Sequence, residues 1–338
     1  MLGQKSFNEQ KNEIELEIFV DEAKEVKYKN EKITYIMLMA IPTNKKEKLY
    51  NKLNNSRCLY LERDFNICTE KCKYHECNNV EIHYSEINQG NSTIKKKIAE
   101  KWINILLDNN FKNENAIYFN VLGIIESNLD LRLFGKSEHA NIYSRFFRTN
   151  LLRLLRMYDE YDKIIIKHIY HDSTTEMEQH RYFKTNAIRK LKSDSIKREK
   201  IVFETNEIEF IDSKHYKGNN PIESQFIQFV DLILGLTVNV IHGNATNRIK
   251  KDLSQKLQPL IFRILDKESC KRKSKYNYFN KQAISFFPKY SKDELSEKLK
   301  KDTIEESDIE LLLKAFDNFD NNKKILSIEE EGEQMSLF

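Results

Sequence analysis

The sequence predicts an α/β protein, built on a sheet of mixed strand direction that is flanked by helices. The first two apolar runs of strand length follow each other closely along the chain, which is typical of an antiparallel pair. The later apolar runs alternate with helix-length amphipathic segments, which is typical of parallel crossover units. Adjacent early strands and alternating later ones together indicate the mixed sheet.

Length and composition narrow the class of protein. The chain has 338 residues, of which 40% are hydrophobic and 32% charged, so it is long enough to bury a large core. No stretch approaches the roughly 20 apolar residues of a membrane helix, and the polar N-terminus lacks the apolar core of a signal peptide. Four of the five cysteines fall within residues 58–77, unlike a secreted disulfide scaffold. We therefore expect a cytoplasmic protein that does not enter a membrane.

Strands are predicted where apolar and β-branched residues cluster between turn-forming residues. Pro42 should end the second strand, because proline cannot donate to a sheet ladder. The predicted strands are residues 14–20, 33–41, 80–87, 116–125 and 163–172, with a short hairpin or split strand in 201–212.

Helices are predicted where apolar residues recur at helical spacing. They cover residues 44–55, 92–110, 141–158, about 175–192, and 222–241, of which the last is the most apolar. We place a core domain at residues 13–262, with a Cys/His-rich loop inserted at about 57–79. A basic helical appendage is expected at 263–320 and a flexible acidic tail at 321–338.

Charge is distributed unevenly along the chain. Residues 303–338 contain ten acidic and three basic side chains, a net charge of −7. Because the whole chain carries +4, residues 1–302 carry +11. A basic body suits a nucleic-acid partner. The segment 269–303 mixes basic and aromatic residues, which suits nucleic-acid contact but is equally well explained by packing onto the core.

Carboxylates occupy unusual positions at the ends of predicted strands. Asp21 and Asp172 directly follow apolar strands, and Asp231 lies inside the apolar helix. Acids at the ends of neighbouring strands can converge, and gathered carboxylates repel one another unless a cation neutralises them. Oxygen ligands of this kind suit Mg²⁺ or Mn²⁺. Singly, each acid also fits a structural role, because acids often end strands and cap helices.

Three short motifs resemble the bacterial domain-of-unknown-function family 3800: IFVDEA at residues 18–23, FIDSK at 210–214 and IQFVDLILG at 227–235. The resemblance covers roughly residues 14–245. It implies a ribonuclease H-like fold with an acidic metal site. Asp21 and Glu22 match the family's opening acids, and Asp231 matches its helix aspartate, whereas Asp172 fits the middle acid by position alone.

The resemblance also implies roles for these residues. Asp21, Asp172 and Asp231 would hold one or two divalent ions, with Glu22 or Glu86 completing the set. Lys214, from the motif Asp212-Ser213-Lys214, would contact a phosphate or the leaving group. The implied catalytic set is therefore Asp21, Glu22, Asp172, Asp231 and Lys214.

The sequence departs from the family pattern directly after the first strand. Ala23 and Lys24 stand where the family has Ser and Gly, so the glycine that permits a tight turn is missing. A catalytically degenerate module of the same fold, binding nucleic acid or a protein, is therefore an alternative. A phosphoesterase for small nucleotides is a third reading.

The inserted loop contains the run CTEKCKYHEC. Its soft ligands Cys68, Cys72, His75 and Cys77 could hold a structural Zn²⁺. The spacing is cramped for one tetrahedron, so Cys58 or His83 could replace one ligand, and incidental cysteines are the alternative. Elsewhere, His171 could assist the acidic site, whereas His168 is expected on the face of the sheet.

The chain ends in SIEEEGEQMSLF, an acidic spacer followed by exposed apolar residues. The final pentapeptide resembles the bacterial sliding-clamp binding motif, which implies contacts through Gln334, Met335, Leu337 and Phe338. A tail that folds back onto the body is the alternative. The acids and the tail together predict a metal-dependent nuclease recruited to DNA by the clamp, in phage defence or on a mobile element.

Overall fold

The computed structural model describes residues 12–28, 31–58, 80–88, 92–112, 114–129, 139–173, 183–195, 200–214, 220–245, 247–265 and 281–287. Within these ranges the chain forms a seven-stranded sheet covered by α-helices on both faces. The predicted α/β class with a mixed sheet is confirmed.

Six of the strands form one continuous path, in the order β5-β4-β1-β2-β3-β7. β2 runs antiparallel to both of its neighbours, and the other described pairs are parallel. The two short strands β5 and β6 pair with successive parts of β4, so the predicted split strand is confirmed. The strands are β1 Glu13–Tyr28, β2 Glu31–Pro42, β3 Tyr118–Ile125, β4 Lys163–Asp172, β5 Ile201–Phe203, β6 Glu209–Ile211 and β7 Gln282–Phe287.

Helices connect the strands and cover the sheet. The α-helices are α1 Thr43–Asn55, α2 Ser92–Phe111, α3 His139–Leu155, α4 Phe183–Ser195, α5 Pro221–His242 and α6 Arg248–Leu265. Short 3₁₀ turns follow at Tyr84–Glu86, Glu126–Asn128 and Arg156–Tyr158. The five predicted helices are present, although the described part of the fourth begins at Phe183.

The two faces of the sheet have separate hydrophobic cores. Successive side chains of a strand alternate between faces, so Ile18 and Val20 of β1 pack with α3 and α4. Phe19 packs on the other face, with α1, α2, α5 and α6. The same alternation places Asp21 on the α5 face and Glu22 on the α3 face.

Helix α5 is the central helix of its layer. It begins with Pro221 in the first turn and ends at Gly243, which adopts the left-handed conformation (φ 67°). Contrary to the expectation from the sequence, this helix is long and apolar enough to span a membrane, but 78% of its most apolar stretch is buried inside the protein. Such burial is that of a core helix and is consistent with a soluble protein.

Two segments differ from their predicted structure. Residues 80–87 form an extended segment with a 3₁₀ turn instead of a strand, because side chains of α5 accept the backbone N–H groups of Ile82 and Tyr84. Residues 282–287, which we expected in the helical appendage, pair with β3 as a strand of the core sheet. Ile284 and Phe287 pack into opposite core layers, which explains why this run is stable at the sheet edge.

Two predicted sites fall on parts of the chain outside the described ranges. The possible zinc ligands Cys68, Cys72, His75 and Cys77 lie there, as do the tail residues Gln334, Met335, Leu337 and Phe338. Both remain predictions.

Candidate active site

Three carboxylates predicted from distant parts of the chain meet on the α5 face of the sheet. In the parallel ladder between β1 and β4, Val20 lies opposite His171, so the next residues, Asp21 and Asp172, are neighbours. Asp231 reaches the same place from the middle of α5 and hydrogen-bonds to Asp21.

Burial raises the pKa of all three acids, and repulsion from neighbouring carboxylates adds to this for Asp21 and Asp172. Asp21 is 5% exposed, and its pKa lies well above the usual value because of burial, then the charges of Asp231 and Asp172. Burial, and to a lesser extent Asp231, raises the pKa of Asp172 to about 6. Burial also raises the pKa of Asp231. A cation bound between these carboxylates would relieve the repulsion that acts on Asp21 and Asp172.

Asp231 is held by the segment of residues 80–88, which we call the docking segment. The backbone N–H of Tyr84 donates to Asp231 Oδ2 at 2.5 Å, and Nδ1 of His83 lies 3.6 Å from the same oxygen. His83 was considered as a zinc ligand from the sequence, but the structure places it beside the carboxylates.

The motif Gln228-x-x-Asp231-x-x-x-Gly235 explains why the docking segment lies against α5. Its residues recur at helical spacing, so they share one face of the helix. Gln228 Oε1 accepts the N–H of Ile82 at 2.9 Å. At Gly235 a Cβ atom would lie 2.2 Å from Cγ of Tyr84, so the missing side chain leaves space for the tyrosine ring.

Gln228 also links the docking segment to the neighbouring loops. Its Oε1 accepts a second hydrogen bond, from Nη2 of the fully buried Arg57 at 2.8 Å. Its Nε2 donates to the carbonyl of Ser213 at 2.7 Å. Arg57 in turn donates to the carbonyl of Val80 at 2.7 Å, which ties both ends of the inserted loop together. The motif glutamine therefore positions the site without belonging to the carboxylate cluster.

Glu81 is a further acid that the sequence reasoning missed. Ser213 hydrogen-bonds to Asp172, and its Oγ lies 3.4 Å from Glu81 Oε1. Burial, and then the charge of Glu86, raises the pKa of Glu81. The sequence pattern that could have identified it is an acid between Val80 and Ile82 in a short apolar run, which we interpreted only as a strand.

Two other candidates lie at the rim of the site. Glu86 forms an ion pair with Lys95 at 2.6 Å, so its carboxylate is bound by a lysine. Lys214 is exposed, and its backbone N–H donates to Asp212 Oδ1 at 2.8 Å in the turn after β6. The charge of Lys214 nevertheless lowers the pKa of both Glu81 and Glu86, so its side chain remains within reach of the docking segment.

The structure separates Glu22 from the three aspartates. Glu22 is buried on the α3 face, where Lys24 Nζ lies 2.8 Å from its Oε1. Its charge also raises the pKa of Tyr143, which burial raises most. β1 continues through Ala23 and Lys24 with an irregularity before Val26, so a continued strand stands where the family has its tight turn.

The two histidines near the end of β4 occupy opposite faces of the sheet. His171 is fully buried on the α3 face: its Nδ1–H donates to the Asp172 carbonyl at 2.7 Å. Its Nε2 therefore accepts from the hydroxyl of Tyr143 at 2.6 Å. His168 pairs with Glu209 at 2.7 Å and lies on the sheet face, as expected. Neither imidazole enters the carboxylate cluster.

The chemistry of the cluster fits a hard divalent cation. In the part of the chain that the structure describes, no group of three His, Cys, Asp or Glu side chains is already arranged to hold an ion. The aspartates are nevertheless oxygen donors of the kind that Mg²⁺ and Mn²⁺ prefer. Burial raises their pKa values, and the opposing effects of His83 and Lys250 do not offset this, so protein groups compensate their negative charge only in part. A cation would supply that compensation.

Comparison of the chain with known protein families and with curated proteins returns no match. The fold and site therefore define the class: an α/β protein in which three carboxylates with raised pKa values meet between the mixed sheet and helix α5.

Proposed function

We propose that this protein is a metal-dependent nuclease that hydrolyses phosphodiesters of nucleic acids. The observation that carries the proposal is the meeting of Asp21, Asp172 and Asp231 on one face of the sheet with raised pKa values. Crowded buried carboxylates are costly to a fold, and a cation-dependent function gives a reason to retain them.

The fold supports a ribonuclease H-like core. Two of the acids lie on β1 and β4, which are neighbouring parallel strands, and the third comes from the helix packed against them. The resemblance to the family 3800 motifs implies the same arrangement, although the chain has a continued strand in place of the Ser-Gly turn.

Asp21, Asp172 and Asp231 would hold one or two ions, and Glu81 is a further acid that shares the hydroxyl of Ser213 with Asp172. A bound Mg²⁺ or Mn²⁺ would lower the pKa of a coordinated water and neutralise charge on the phosphodiester. The surrounding residues orient the ligands: Tyr84 N–H fixes Asp231 and Ser213 holds Asp172. Such outer contacts matter because they limit the directions that a ligand oxygen can adopt.

We further propose that the C-terminal peptide recruits the nuclease to the bacterial sliding clamp in the cytoplasm. The support is the sequence QMSLF at residues 334–338 behind an acidic spacer. A tethered nuclease would act at a raised local concentration on DNA near replication forks. A role in phage defence or on a mobile element fits such recruitment.

The proposed activity is tested with purified protein and Mn²⁺ on single-stranded, duplex and RNA–DNA hybrid substrates. Wild type should cleave at least one of them, and Asp21→Asn and Asp231→Asn should each abolish cleavage and weaken Mn²⁺ binding in calorimetry. Asp108→Asn is the matched control, because Asp108 is an exposed aspartate paired with Lys112 on α2. Full activity in both site variants would rule out the assigned site.

The continued strand at Ala23 and Lys24 favours one second candidate, a module of the same fold that binds nucleic acid without cleaving it. Wild type would then bind the oligonucleotides with no product formed at any Mn²⁺ concentration. Asp21→Asn would in that case leave oligonucleotide affinity unchanged or increased, since it removes a negative charge.

A further inference from the structure

Lys250, in the first turn of α6, lies beside the carboxylate cluster in an unusual setting. Its Nζ is 4.4 Å from the centroid of the Tyr84 ring and donates to the carbonyl of Ser85 at 3.2 Å. Both contacts are to the docking segment, directly next to the backbone N–H that holds Asp231. The charge of Lys250 reaches Asp231 and lowers the pKa of that carboxyl.

Two lysines of the nearby helix α2 form ion pairs with acids, whereas the contacts of Lys250 are with an aromatic ring and a backbone carbonyl. Lys95 pairs with Glu86 at 2.6 Å, and Lys96 pairs with Asp252 at 3.1 Å. Among the described residues, no carboxylate lies within ion-pair distance of Lys250. An ammonium group has three donors, and the Ser85 carbonyl takes one of them. Within the described part of the chain, its other two donors and its charge therefore face no carboxylate at ion-pair distance, which suits an incoming anion.

The position of Lys250 depends on how α5 is built. Gly235 leaves the space in which the Tyr84 ring lies against the helix, and the face of that ring then supports the ammonium group. Burial lowers the pKa of Lys250, while Asp231 raises it. The packing of Gly235 against Tyr84, and of Tyr84 against Lys250, therefore holds an ammonium group near Asp231. Among the described residues, this ammonium group does not form an ion pair with the acids.

We propose that Lys250 binds a phosphate group of the nucleic-acid substrate next to the metal site, an inference that rests on the proposed nuclease function. A lysine is a compact charge suited to phosphate, and this one is held against the segment whose Tyr84 N–H binds Asp231. Lys214, the lysine assigned from the sequence, is exposed and has no comparable support.

Lys250→Met tests the proposal because it keeps an unbranched apolar side chain and removes the charge together with the hydrogen bond to the Ser85 carbonyl. The matched control is Lys251→Met, which removes the charge of the adjacent exposed lysine on the same helix. Fluorescence anisotropy with labelled single-stranded and duplex oligonucleotides in EDTA measures binding without cleavage. Calorimetry with Mn²⁺ alone measures the metal site.

Lys250→Met should weaken oligonucleotide binding roughly tenfold, as expected for a charged hydrogen bond. It should also reduce the slope of log affinity against log salt by about one phosphate contact. Lys251→Met should change affinity by less than about twofold, and Lys250→Arg should restore most of the loss. Mn²⁺ affinity of Lys250→Met should stay the same or rise, because a positive charge beside Asp231 has been removed.

The two proposals fail in different ways. If Lys250→Met binds oligonucleotides like wild type and Lys251→Met, while wild type still cleaves, the phosphate role is wrong and the nuclease proposal stands. If Lys250→Met loses Mn²⁺ affinity together with nucleic-acid affinity, Lys250 is a structural element of the site, and the phosphate role is again wrong. If wild type neither binds nor cleaves nucleic acid, both proposals fall.

Discussion

Asp21 and Glu22 are adjacent in the chain but lie on opposite faces of the central sheet. Asp21 joins Asp172 and Asp231 beneath α5, whereas Glu22 is buried beneath α3 with Lys24 2.8 Å from its carboxylate. The two acids of the motif therefore have different roles. One belongs to the candidate metal site, and the other belongs to a buried polar cluster with Tyr143.

Glu22→Gln should consequently leave Mn²⁺ affinity within about twofold of wild type. Asp21→Asn should reduce it by at least the roughly 10–100-fold that loss of an outer-shell partner costs. Titration calorimetry on both variants measures this difference. A large loss in Glu22→Gln, with an unchanged circular dichroism spectrum, would contradict the assignment of Glu22 to the opposite face.

Folding stability should depend on pH through the aspartates. Because the pKa of Asp172 is raised from 3.8 to about 6, its contribution to stability is fully present below about pH 4 and is lost as pH rises through about 6. That shift corresponds to roughly 3 kcal/mol. Asp172→Asn should therefore gain about 1.4 kcal/mol relative to wild type between about pH 5 and about pH 7.5, as measured by urea unfolding, because the other half of the loss already occurs between about pH 4 and about pH 5.

Two additions sharpen the pH experiment. Saturating Mn²⁺ should stabilise wild type at the higher pH and have little effect on Asp172→Asn, because a ligand that binds only the folded state adds to its stability. Asp108→Asn, at an exposed pair on α2, should show a constant difference from wild type at both pH values. Equal pH dependence in all three proteins would mean that the fold does not raise the pKa of Asp172.

Gly235→Ala should destabilise the protein and disturb the carboxylate site by displacing Tyr84. The new methyl group would lie 2.2 Å from Cγ of the tyrosine ring, and overpacking of this kind costs roughly 1–3 kcal/mol. Displacement of Tyr84 should also weaken its hydrogen bond to Asp231 and lower Mn²⁺ affinity. Thermal unfolding and calorimetry measure the two effects.

A double-mutant cycle separates crowding from a general helix effect. Tyr84→Ala removes the ring, so adding Gly235→Ala in that background should cost little further stability and should slightly help the helix, since alanine is the better helix former. If Gly235→Ala is equally destabilising with and without the ring, the close packing is not its cause.

Gln228→Leu should be strongly destabilising although the side chain is similar in size. Buried hydrogen-bonding groups of Arg57, Ile82 and Ser213 would each lose their partner, at about 1–3 kcal/mol each. We expect a loss of at least roughly 3 kcal/mol in denaturant unfolding. Gln255→Leu, at an exposed position of α6, should stay within about 0.5 kcal/mol of wild type.

Deletion of residues 334–338 should abolish binding to the bacterial sliding clamp in a pull-down and leave Mn²⁺-dependent cleavage of free oligonucleotides unchanged. The reason is that the peptide would act as a tether, separate from the carboxylate cluster. Leu337→Ala with Phe338→Ala is the point-mutant counterpart, since apolar anchors carry most of the energy of such peptides. Retained clamp binding in both variants would show that the motif match is accidental.

Much of the architecture follows from local pattern. Apolar runs of strand length gave β1 to β4 and the split strand, and the strongly apolar stretch beginning near Pro221 gave α5. These elements form where they were expected because side-chain periodicity acts over a few residues. β1 differs at one end, since it continues to Tyr28 beyond its predicted end at residue 20. The same local reasoning identified Asp21, Asp172 and Asp231 as acids at the ends or inside of buried elements, where a carboxylate is costly.

The sequence by itself determined most of the strands and helices of the core and the three aspartates that are out of place among them. Only the tertiary structure decided that Glu81 and Lys250 border the acids, that Glu22 does not, and that residues 80–87 give their N–H groups to α5 instead of to a strand. The physical reason is separation along the chain. Tyr84 and Asp231 are 147 residues apart, and a hydrogen bond over that distance depends on the packing of whole layers, which no local pattern records.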